Sequence, residues 1–115
     1  MDKSGPQDLV GRELSSVEFV RDYVQLRFDG PCVSAYTLPV VHSANGVVDQ
    51  SSPLYADTLI RFIGKTVAAV KVEEEVAFQI LFGDGSSISI SLRSEDYRAA
   101  EAATLSIGSR AIWSF

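Results

Sequence analysis

LVGRELSSVEFV (Leu9 to Val20) and FIGKTVAAVKVE (Phe62 to Glu73) are two versions of one segment, and they decide the fold. The likeness continues, with VQLRFDG (Val24 to Gly30) echoed by FQILFGDG (Phe78 to Gly85). A segment repeated at this spacing is the mark of a repeated supersecondary unit. Gly11 matches Gly64 at an offset of 53, Phe28 matches Phe82 at 54, and Gly30 matches Gly85 at 55. Each one-residue step falls where a turn is expected, VRDY against VEEEVA and then FDG against FGDG. Turns absorb insertions because their backbone is in solvent, whereas an insertion inside a strand reverses the facing of every later side chain. The drift therefore predicts duplicated strands joined by turns of unequal length.

Alternation identifies the strands. Ala68, Val70 and Val72 share one face; Phe78, Ile80 and Phe82 the next; Ile88, Ile90 and Leu92 the third. The first copy offers Val17 and Phe19, then Val24, Leu26 and Phe28, then Val33 and Ala35. Period-two alternation puts one face on a core and the other in water, as in an antiparallel meander. Each unit, 9–38 and 62–93, thus reads as three strands.

Two helices are expected beside them. Ser52-Pro53 is a start signal, Tyr55, Leu59, Phe62 and Ile63 form a helical stripe, and Gly64 is a stop. A second helix is predicted from Ser94, with Glu95 and Asp96 in its first turn and the Ala-rich YRAAEAATL following. A shorter turn is expected over Pro6 to Val10, and a hairpin at Asn45-Gly46 within the 39–61 linker. The tail RAIWSF is apolar, so it reads as a last strand packed on the body or as a docking patch centred on Trp113 and Phe115. The fold class predicted is α+β, mainly antiparallel β. Two three-stranded units would form a small barrel or sandwich, with a linking helix and a C-terminal helix in 94–115.

At 115 residues, with 46% hydrophobic and 22% charged, the chain is expected to be one globular domain. No apolar run reaches the ~18 residues that span a bilayer, so no membrane association is expected. MDKSGPQD lacks the apolar stretch of a signal peptide, and the single Cys32 cannot form an internal disulfide; both point to the cytoplasm. The net charge of −5, with ten scattered bases, argues against nucleic acid and suits a basic protein partner. Single histidine and cysteine residues, His42 and Cys32, rule out paired-histidine and Cys-rich zinc sites. Gly83 and Gly85 stand between strands, not before a helix, so no phosphate loop is present. A Cys32–His42 pair with Asp49 as orienter can be drawn, but no nucleophile signature surrounds Cys32. No catalytic set and no cofactor or metal are predicted.

Two features remain for binding: the run Glu73-Glu74-Glu75 at the first turn of the second unit, and the apolar Trp113 and Phe115. Like charges at close range repel, so the acidic run should project into water. The expectation is a non-enzymatic binding module, with a small-ligand barrel and a homodimer as alternatives. Tyr36, Tyr55 and Trp113 are the aromatic residues that would line a barrel interior.

The sequence around Leu9-Val10-Gly11 and Phe62-Ile63-Gly64, followed by apolar-x-Phe-x-Asp-Gly, resembles small uncharacterised bacterial domains. Those carry an L-x-G-x-x-V … L-x-F-x-D-G unit before a C-terminal acidic helix, here SEDYRAAEAA; the likeness is best over 58–103. That family has no established catalytic residues, so the resemblance assigns none. Some compact acidic bacterial domains of this size are immunity proteins, which implies inhibition of a basic partner.

Overall fold

A computed structural model describes residues 5–107 and 111–115 of the chain. The described residues form ten strands, arranged as two five-stranded antiparallel sheets, together with one short α-helix and two 3-10 turns. In the first sheet β1 (Ser16–Val20), β2 (Tyr23–Arg27) and β3 (Cys32–Ala35) form a meander. In the second, β6 (Val67–Glu73), β7 (Ala77–Phe82) and β8 (Ser87–Ser91) do the same. The predicted alternation holds in the central strands, where Val24 and Leu26 of β2 and Phe78, Ile80 and Phe82 of β7 are buried. It does not hold in the first strand of either unit: Phe19, Ala68 and Val72 are exposed. A register shift between Val67 and Ala69 turns Val67 inward.

Each sheet is then completed by a hairpin from the other half of the chain. The hairpin β4 (Val40–Ser43) and β5 (Gly46–Val48) lies against β8, and β9 (Ala103–Ile107) with β10 (Ala111–Ser114) lies against β3. The β4–β5 turn falls at the expected place, with Ser43 opposite Gly46 and a positive φ of 116° at Gly46 alone. Gly46 supplies that angle without the steric conflict a Cβ would bring.

The two halves also meet in a short seam. Gly11 N–H donates to Val67 O at 2.9 Å and Val67 N–H to Arg12 O at 2.8 Å. Gly64 N–H donates to Leu14 O at 2.8 Å and Leu14 N–H to Lys65 O at 3.0 Å. Around them Glu13 bridges Thr66. Moving every residue by the 53-residue offset turns the first pair of bonds into the second and leaves the Glu13–Thr66 bridge in place.

One core serves both sheets. Leu14, Leu26, Phe28 and Val33 from one side and Phe78, Ile80, Ile88 and Ile90 from the other are fully buried in a single cluster. The sheets remain open, with β1 and β10 at the edges of one and β5 and β6 at the edges of the other. The barrel alternative is therefore corrected: the strands do not close, because each third strand pairs with a returning hairpin.

The helices also differ from expectation. The linking helix, α1, is limited to Tyr55–Ile60. Beyond it, Phe62 N–H bonds to Leu59 O and Ile63 N–H to Ile60 O, three residues back, so the chain tightens into turns before Gly64. Among the described residues of 94–115 there is no C-terminal helix: Ser94–Asp96 make one 3-10 turn, and the chain continues without regular structure to β9. Local Ala and Glu favour helix, but β3 presents an open edge, and Ala103 and Leu105 are fully buried on pairing with it. Pairing across the sheet outweighs local propensity here.

Candidate functional site

The acidic run occupies the tip of the β6–β7 hairpin. Glu73 pairs with Ala77, leaving Glu74, Glu75 and Val76 as the loop, closed by Val76 N–H donating to Glu73 O at 2.9 Å. Glu75 sits in the left-handed region at φ 65°, a conformation that favours glycine. All three carboxylates are exposed. Among the described residues the ion pairs are Arg27–Glu18, Arg61–Asp57 and Lys65–Asp84, and none engages the tip.

Two segments of chain come up beside this tip. Leu92, just past β8 and 5% exposed, donates its N–H to Val76 O at 3.1 Å. The following turn is tied down by Ser91 Oγ donating to Asp96 at 2.6 Å, which sets Tyr97 against the core. On the other side Phe115 N–H donates to Ala103 O at 2.9 Å, and its ring packs 4.9 Å from Phe78. The result is a cleft of about 340 Å³ lined by Val72, Glu74, Glu75, Leu92, Tyr97, Ser114 and Phe115. A second cleft of about 380 Å³ shares Glu75, Leu92 and Tyr97 with it and adds Arg93, Ser94 and Glu95.

The fold thus brings Glu74, Glu75 and Phe115 together, with Glu73 at the hairpin's end. Trp113 lies elsewhere: it pairs with Leu105 in β10 and covers Gly5, where an added Cβ would stand 3.3 Å from Cε2. The sequence carries no binding signal for Leu92, Tyr97 or Glu95: Tyr97 and Glu95 fall within the expected helix, and Leu92 is one more alternating strand residue.

The other sequence candidates fall apart or into structural roles. Cys32 is in β3 and His42 in β4 of the opposite sheet, while Asp49 accepts from Ser51 N–H at 2.9 Å. Burial pushes the Cys32 thiol up from its ordinary pKa, against the opposing pull of Arg27. Tyr55 donates to Pro39 O at 2.5 Å from a buried position, and burial raises its phenol far above the ordinary value. Tyr36 packs on Tyr23 at 5.2 Å. Asp84 is held well below the usual carboxylate range by Lys65 Nζ at 2.6 Å and then by Ser86, an arrangement that fixes the β7–β8 turn. Among the described residues no cluster of three His, Cys, Asp or Glu could hold a metal.

A further cleft of about 290 Å³ is lined by Thr37, Leu38, Val40, Asp49, Ser51, Ser91, Asp96 and Arg98 among others. At its edge Thr37 Oγ1 is buried with no hydrogen-bond partner among the described residues. Leu92 stands 55 residues on, at the offset that relates Gly30 to Gly85, and is apolar. An unpaired buried hydroxyl costs about 1–3 kcal/mol, whereas an isosteric methyl does not. Thr37→Val is therefore expected to raise stability by about 1 kcal/mol, read as a higher urea midpoint. A lower midpoint would show that the hydroxyl is satisfied.

No protein-family model, no curated protein and no solved structure matches this chain.

Proposed function

We propose that the protein is a non-enzymatic cytoplasmic binding module, of the immunity type, whose acidic hairpin tip engages a basic protein partner. The observation that carries this reading is the exposed Glu73-Glu74-Glu75 tip, which no ion pair among the described residues neutralises. Three adjacent carboxylates held in no salt bridge among the described residues, on a protein of net charge −5, steer a basic surface and repel an acidic one. The body is then a scaffold of two repeated units in pseudo-twofold relation. The interchange of seam hydrogen bonds under the 53-residue offset, and the matching strand order of the two sheets, support that duplication.

The test is reversal of the tip to lysine, E73K/E74K/E75K, with partners recovered from native lysate and their affinities measured. A basic partner whose binding weakens at least tenfold on reversal, about 1.4 kcal/mol, and falls with added salt, is the expected result. Partners bound equally by both proteins would overturn the reading. So would a wild-type protein that recovers only further copies of itself, which would instead favour the homodimer.

A further inference from the structure

We infer that the groove beside the tip accepts a bulky apolar side chain of the partner, flanked in the partner's chain by lysine or arginine. This rests on the reading of the tip as a site for a basic partner, and it adds what that partner must contain. The apolar part of the lining, which we call its floor, is Leu92, Tyr97 and Phe115, with Val72 37% exposed beside them and Ser114 as the neutral polar member. The rim is acidic, with Glu74 and Glu75 on one cleft and Glu75 and Glu95 on the adjoining one, opposed by Arg93 alone.

The two halves of this lining restrict the occupant from opposite directions. A purely basic segment would satisfy the carboxylates and leave the apolar floor against water. A purely apolar one would cover the floor and desolvate carboxylates without giving them a counter-charge, which is unfavourable. A segment with one large aliphatic or aromatic residue between bases meets both requirements. Binding would follow the usual anatomy of an anchored peptide, a buried apolar centre inside a polar rim. Tyr97 and Phe115 are half-buried and packed on the core, so the floor is in place before the partner arrives.

The experiment is selection of a displayed library of short random peptides on the whole chain, repeated on Val72→Asp. That substitution removes apolar surface from the lining while keeping the groove acidic; its fold is checked by its urea midpoint. Expected from wild type are peptides with one bulky apolar position bracketed by Lys or Arg, each binding about tenfold more weakly when that position becomes serine. Val72→Asp should keep the preference for bases and lose the apolar one. Basic peptides with no favoured apolar position would overturn the groove inference and leave the acidic-tip reading standing. No preference for bases at all would sink both.

Discussion

Phe78→Ala is expected to cost about 3–5 kcal/mol, against the ~5–15 kcal/mol that holds a domain of this size folded. Phe78 lies in β7, flanked by Val72 of β6 and Ile90 of β8, and is fully buried. Its flanking strands are fixed by the sheet's hydrogen bonds, so the space it leaves has little means of collapsing on either side within the sheet. The penalty is lost transfer energy plus the cavity. It should appear as a lower urea midpoint at unchanged slope, because the surface exposed on unfolding is nearly the same. The ring also packs 4.9 Å from Phe115, at 55°. Such aromatic pairs add about 0.5–1.5 kcal/mol, so a double-mutant cycle with Phe115→Ala should show coupling of that size. A single-mutant loss below about 1.5 kcal/mol would show that the sheets can close over the gap.

The seam gives the second large effect. Val67→Pro removes the N–H that donates to Arg12 O, and Leu14→Pro removes the N–H that donates to Lys65 O. Both residues are buried, at 1% and 0% exposure, so each proline also strands a carbonyl and forfeits a packed side chain. The expected loss is roughly 3 kcal/mol or more for each. The sharper expectation is that the two losses agree within about 1 kcal/mol, since the bonds occupy corresponding places across the seam. Urea titration of the two variants beside wild type reads this directly. If one proline is tolerated and the other unfolds the chain, the two sides of the seam are not equivalent.

Much of this architecture is legible in the residues, for physical reasons that also mark where reading stops. Alternation at Val24-Leu26 and Phe78-Ile80-Phe82 reports which face of a strand is buried, and burial follows it. Alternation carries no information on which sheet a strand joins. Nothing in PVVHS or ATLSI foretells that each crosses to the sheet of the other half. The 94–107 stretch misleads because its alanines score as helix formers, while Ala102 and Ala103 are in fact small residues where chains approach closely. Tyr36 and Thr37 both donate to Ala102 O, at 2.8 and 3.0 Å. The acidic tip was readable because a run of like charge between two alternating segments has few places to go but a turn. Its apolar floor was not readable, because Leu92, Tyr97 and Phe115 converge only after the two hairpins have exchanged.

That exchange governs how the molecule comes into being. β3 waits for a neighbour encoded far downstream, since Ala35 pairs with Ala103. Contacts of such long sequence separation are slow to form, because a large loop must close before they contribute. During synthesis, at about 5–20 residues per second, the first meander therefore emerges with an unsatisfied strand edge and stays so for several seconds. The nascent chain is most exposed to mispairing in that interval, which closes only once the β9–β10 hairpin has been made and can dock on β3.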